Sequence, residues 1–130
     1  MATLPSTIYL VLAALFFAYT AWTSAAAPES FANQLGLSIV NQGGVNEVRS
    51  QYAGFFLAGA ILCVMGLAGV VSRPATYITL VVTFGGLIGG RLVSLAINGG
   101  MTGYGRSIRA LYVIDGVGFA TAVYLLMAAR

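Results

Sequence analysis

Four stretches of this chain each run for roughly 20 to 25 residues almost without charge, and ~20 residues of helix are what a bilayer core requires. They cover about residues 8–27, 47–71, 74–97 and 107–129. Nine charged side chains serve 130 positions: six arginines and the three carboxylates Glu29, Glu47 and Asp115. Soluble domains carry ~25% charged residues, whereas this chain has 7%, with 59% hydrophobic residues and a mean hydropathy of +0.93. Such a chain cannot clothe itself for water. It is expected to be an integral membrane protein.

The spans lack the polar-in, apolar-out alternation of a transmembrane barrel, and each is about twice the length of a barrel strand. Helices follow, and short connections between them predict an all-α, up-down-up-down four-helix bundle forming one domain over residues 1–130. Arg73-Pro74 ends the second span, because proline disfavours helix in the residue before it and suits a first helical turn. Asn46 is expected to cap the second span with Glu47 in its first turn, and Ser107 to cap the fourth. The Gly-rich run from Asn98 to Gly105 separates spans three and four.

Residues 28–46 form the one sizeable segment outside the membrane. Phe31, Leu35 and Ile39 recur every four residues and predict a short helix on the headgroup layer; an irregular cap is the alternative, and Asn41-Gln42-Gly43-Gly44 should break any helix. Ala25-Ala26-Ala27 before Pro28 resembles a signal-peptide cleavage site. Met1 to Thr7 lacks the positive charge such a peptide begins with, so a retained first helix is expected.

Composition removes whole classes of function. Without histidine there is no imidazole ligand or histidine-based triad. A single cysteine, Cys63, permits neither an internal disulfide nor a paired-cysteine site and reads as packing filler. No metal or cofactor is expected. Although the pI is near 9.4, no basic run interleaved with aromatics points to nucleic acid; the arginines read as partners for lipid phosphates. The Gly-rich loop is no phosphate loop, because no Gly-Lys-Ser/Thr follows. Tyr19, Trp22 and Tyr124 fit an interfacial belt.

Four crossings place Glu47, Arg49, Arg91, Arg106, Arg109 and Asp115 in one half of the molecule. At ~1.5 Å per residue, Arg91 lies ~10 Å inside the end of the third span and Asp115 ~12 Å inside the fourth. Opposite charges at matching depth should pair, since an intramembrane charge is costly alone. Glu47 is a candidate second carboxylate for the Arg91 fork. Arg91, Ser94 and Asn98 share one helix face, Tyr112 and Asp115 another, and Glu47, Ser50, Gln51 and Gly54 line the start of the second span. The group reads either as a binding half-pocket or as a buried network that fixes helix register. Arg49, Arg106 and Arg109 against Arg73 and Arg130 make three against two, which is no positive-inside signal of any strength; a cytoplasmic cluster side is only the slight expectation.

Glycine makes the second constellation. Gly85, Gly86, Gly89 and Gly90 give two overlapping GxxxG pairs, and Gly54 with Ala58 and Gly118 with Ala122 repeat the spacing. Small residues at that spacing let helices approach closely in lipid, either inside the bundle or against another chain.

Two segments carry a family resemblance: Asn46-Glu47-Val48-Arg49-Ser50-Gln51-Tyr52-Ala53-Gly54, and Gly90-Arg91-Leu92-Val93-Ser94-Leu95 followed by Asn98-Gly99. The chain resembles, over nearly its whole length, a bacterial family of small four-helix membrane proteins catalogued as domain of unknown function 4345. That family's pattern is N-E-x-R-x-x-Y-G-G, then G-R-x-x-S, then an acidic residue in the last helix. Ala53 replaces a glycine of the pattern, and Asp115 stands where glutamate is usual. The resemblance implies the fold, a location in the bacterial inner membrane, and interest in Glu47, Arg49, Arg91 and Asp115. It implies no activity.

Two functions are therefore expected in order. The first is a non-catalytic accessory or scaffold subunit of a membrane complex, meeting lipids and other subunits, or itself, through Gly-rich faces. The second is a carrier or binding protein for a lipid headgroup or small solute at Glu47, Arg91 and Asp115. An enzyme ranks last, because no nucleophile–base pair or metal set is visible.

Overall fold

A computed structural model describes residues 3–129; Arg130, used above for orientation, lies outside them. The described residues are helical with no strand, and four helical segments are long and apolar enough to cross a membrane: Leu4–Ala26, Gln42–Leu67, Arg73–Asn98 and Arg106–Ala128. The chain is an all-α integral membrane protein. The described residues divide into two compact units, residues 3–71 and 72–129, each built on one helical hairpin.

In the first unit, α1 (Leu4–Ala26) opens with proline in its first turn, a position where the missing N–H is no loss. Ser6, Tyr9, Leu10, Ala13, Phe17, Ala21 and Ser24 are its buried face, stepping by three or four residues. Thr20, Thr23 and Ser24 donate to the carbonyls of Phe16, Tyr19 and Thr20 at 3.0, 2.9 and 2.6 Å, which satisfies hydroxyls without a partner helix. Pro28 then starts α2 (Pro28–Gln34).

The structure corrects the expected helix through Phe31, Leu35 and Ile39. The α2 helix stops at Gln34 because Gly36 takes φ 77°, and Leu37 N–H and Gly36 N–H return to the carbonyls of Ala32 and Asn33 at 2.9 and 3.0 Å. That Schellman ending leaves Ile39 outside the helix. A second correction concerns the start of the next span. Asn41, not Asn46, is the N-cap: its side chain accepts from Gly44 N–H at 3.1 Å. Helix α3 (Gln42–Val48) therefore passes through Gly43 and Gly44, a capped first turn offsetting glycine's poor helical propensity.

Between α3 and α4 (Phe55–Leu67) the backbone widens into a π-helical turn over Arg49–Gly54. Phe17 of α1 packs on Phe56 with ring centroids 5.5 Å apart, and on Gly59, where a Cβ would stand 2.8 Å from the Phe17 ring. Farther back, Ala25 of α1 meets Arg49. Contacts that move forward on one segment and backward on the other make the hairpin antiparallel.

In the second unit Ser72 caps α5 (Arg73–Asn98) by accepting from Ala75 N–H at 3.4 Å. Gly99 closes it at φ 69°, in the left-handed region where glycine is favoured. The α6 helix (Arg106–Ala128) begins after Gly105, so Ser107 lies inside it and is not the expected cap. The hairpin core is a reciprocal exchange of glycine and phenylalanine. A Cβ on Gly118 would stand 2.8 Å from the Phe84 ring, and one on Gly85 would stand 3.1 Å from the Phe119 ring. Each ring fills the notch that the opposite glycine leaves.

Candidate functional site

Arg91 and Asp115, expected at matching depths, meet across the second hairpin. Arg91 Nε donates to Asp115 Oδ2 at 2.6 Å, with the carboxylate side chain 1% exposed and the arginine side chain 22% exposed. Antiparallel packing creates the meeting: the helix contacts run from Phe84 with Gly118 to Arg91 with Asp115 and Tyr112. Tyr112, one turn before Asp115 on α6, donates its hydroxyl to the Arg91 carbonyl at 2.6 Å, and its ring lies 5.9 Å from the guanidinium carbon. One arginine is thus fixed through both backbone and side chain. Its two terminal nitrogens donate no hydrogen bond among the described residues.

Ser94 and Asn98, expected on the Arg91 face, converge on a residue that the sequence did not mark. The Tyr104 hydroxyl lies 2.9 Å from Ser94 Oγ and accepts from Asn98 Nδ2 at 2.9 Å. The Ser94 hydroxyl, followed by the Asn98 amide, holds the Tyr104 phenol below its ordinary range against the opposing effect of burial. The Tyr104 and Tyr112 rings stand 6.1 Å apart. Arg109 clamps the same loop, donating from Nε to the Tyr104 carbonyl at 3.1 Å and from Nη2 to the Met101 carbonyl at 3.3 Å. The lone tyrosine in a glycine loop was the available signal: five of eight residues from Asn98 to Gly105 could not tether it by side chain, as four are glycine and one is methionine.

Glu47 and Arg49 belong to the first unit. Glu47 is exposed on α3 and forms no ion pair among the described residues. Arg49 opens the π turn and donates from Nε to the Ala25 carbonyl at 3.2 Å, at the end of α1. Tyr52 in that turn stacks on Phe56 at 6.3 Å and meets Phe31 of α2 edge-on at 5.0 Å. Gly54 has the Arg49 carbonyl of its own turn 3.7 Å from a Cβ position. Its place is in the wide turn, and no other helix lies against that position. A π turn often marks a functional position; the sequence trace of this one is the four-residue stepping of Val48, Tyr52, Phe56 and Ala60. Ala27, Pro28, Glu29, Ser30, Gln42, Val45 and Arg49 line an open cleft of about 410 Å³.

The glycines expected to mediate packing divide into two sets. Gly85 and Gly118 carry the hairpin contact, while a Cβ on Gly86, Gly89 or Gly90 would meet nothing within 4 Å. No group of three metal-ligating side chains lies together among the described residues. Cys63 is buried and free.

A family model described as a domain of unknown function, DUF4345, matches residues 5–111. The match takes in Glu47, Arg49, Arg91, Ser94 and Asn98, and ends before Tyr112 and Asp115. No curated protein and no solved structure matches the chain.

Proposed function

The chain belongs to the DUF4345 family of unknown function, and on that premise we propose a non-catalytic accessory or scaffold subunit of a complex in the bacterial inner membrane. The observation that carries this reading is the open glycine face of α5. Gly86 and Gly90 are exposed and four residues apart, and nothing occupies the space beside them or beside Gly89. Such a face lets a second helix approach to backbone contact in lipid, where packing drives association. The Gly85–Phe119 and Gly118–Phe84 contacts are already used within the hairpin, so the remaining glycines serve the partner. The Arg91–Asp115 pair has a supporting role: it fixes the register of α5 against α6 and so the direction in which Gly86 and Gly90 face.

Purification in a mild detergent tests this reading. The wild-type protein should bring a second membrane protein with it, and Gly86→Leu with Gly90→Leu should release that protein without lowering the variant's own thermal melt. Recovery of the wild type as a lone monomer carrying lipid would overturn it.

A second reading has one observation in its favour. The terminal nitrogens of Arg91 are unpaired and the side chain is partly exposed, which suits an anion from a lipid headgroup or small solute. A loss of lipid phosphate from the purified protein on Arg91→Gln would favour it.

A further inference from the structure

A different place in the molecule, the cleft lined by Glu29 and Arg49, brings opposite charges to one opening. We propose that the cleft between the end of α1, α2 and the start of α3 binds a phosphoethanolamine group, with Arg49 taking the phosphate and Glu29 the primary ammonium. The cleft belongs to the first unit, whereas the α5 face and Arg91 belong to the second.

Both charged side chains line the same cleft without pairing with each other, and Glu29 has no ion-pair partner among the described residues. Two opposite charges that share a cleft but stay apart leave room for a ligand carrying both signs. Arg49 is oriented for this work. Its Nε is held by the Ala25 carbonyl, while its two terminal nitrogens donate no hydrogen bond among the described residues, leaving that end of the fork for phosphate oxygens. The π turn begins at this arginine.

The remaining chemistry agrees. Ser30 and Gln42 add hydrogen-bonding side chains, while Pro28 and Val45 are buried apolar walls. A volume of about 410 Å³ lies within the range of small-molecule sites, ~300–1,000 Å³. Position narrows the ligand further. Ala27 and Pro28 follow directly on the apolar α1 span, so the cleft falls where a bilayer presents its headgroups. A formally neutral pair of wall charges disfavours a net anion, because Glu29 would repel it. A quaternary ammonium is also disfavoured, because it has no N–H to donate to Glu29.

The test uses full-length protein in mild detergent, incubated with phosphatidylethanolamine, phosphatidylcholine or phosphatidylglycerol of identical acyl chains. Bound lipid is counted by native mass spectrometry. The ethanolamine lipid should be retained roughly tenfold more tightly than the other two, the scale of one charge-assisted hydrogen bond. Glu29→Gln should erase that preference, and Arg49→Gln should weaken all three lipids. Arg49→Gln also removes the bond to Ala25, so Glu29→Gln is the deciding variant, its exposed carboxylate making no hydrogen bond or ion pair among the described residues. Free glycerophosphoethanolamine, a phosphodiester with the same zwitterionic charge as the lipid headgroup, identifies the source: displacement of the lipid at millimolar concentration means a soluble ligand, and no displacement means a membrane lipid. Equal retention of the three lipids together with no binding of free glycerophosphoethanolamine, or a preference that survives Glu29→Gln, overturns the proposal.

Discussion

Arg91 of α5 and Asp115 of α6 form a 2.6 Å ion pair in which the carboxylate is almost wholly buried. Tyr112 adds a hydroxyl bond to the Arg91 carbonyl, so two adjacent turns of α6 grip one turn of α5. The pair joins helices that are otherwise held by phenylalanine rings in glycine notches. Polar and apolar contacts thus meet in one hairpin.

The pair should behave as a unit. Arg91→Gln or Asp115→Asn alone should destabilise the protein by ~3–5 kcal/mol, because each leaves a charge without its partner in a low-dielectric setting. The double variant should lose less than the sum of the two. Thermal or denaturant melts in detergent measure the coupling, and purely additive losses would rule out a direct interaction.

The glycines of α5 and α6 should separate cleanly by substitution. Gly118→Ala puts a methyl group 2.8 Å from the Phe84 ring and should cost ~1–3 kcal/mol through overpacking. Gly86→Ala meets open space and should stabilise the isolated protein by ~0.5–1 kcal/mol, by removing glycine's entropic penalty in a helix. The same melts read both. Equal destabilisation by the two would mean that both glycines are packed.

Tyr104 should hold the 99–105 loop. Tyr104→Phe deletes the hydroxyl that joins Ser94 and Asn98, and Arg109→Ala deletes the clamp on the Tyr104 and Met101 carbonyls. Either change should speed amide exchange across residues 99–105 with little effect on α1 or α4. Hydrogen–deuterium exchange with peptide resolution checks this. Unchanged exchange in the loop would show that its glycine conformations suffice.

In the first hairpin Gly59→Ala should cost ~1–3 kcal/mol, since its methyl would press on Phe17 at 2.8 Å. Adding Phe17→Leu should relieve part of that loss. A melt of the double variant no better than that of Gly59→Ala would place the strain elsewhere.

The sequence made the spans legible because a charge-poor helix of bilayer length has few alternatives, and boundaries near Arg73 and Asn98 followed from proline and glycine. The Arg91–Asp115 contact was legible too, since antiparallel neighbours bring residues at equal depth together. Local competition hid the rest. Two caps were available to the second span, and Asn41 takes the role because its side chain reaches Gly44 N–H. The π turn at Arg49–Gly54 conserves the apolar stripe while widening the backbone, so hydrophobic spacing alone barely registers it. Overlapping GxxxG pairs look equivalent in sequence. Only the phase of α5 against α6 decides that Gly85 faces Phe119 while Gly86 faces open space.

The docking role of the α5 glycine face is tested most directly by cross-linking in native membranes. In a Cys63→Ser background, Gly86→Cys and Gly90→Cys would each place one thiol on that face, with Val113→Cys on exposed α6 as the control. An adduct with a different membrane protein at both glycine positions, absent from the control, is the predicted result. No adduct at either position, or one of twice the chain's own mass, would contradict an accessory subunit.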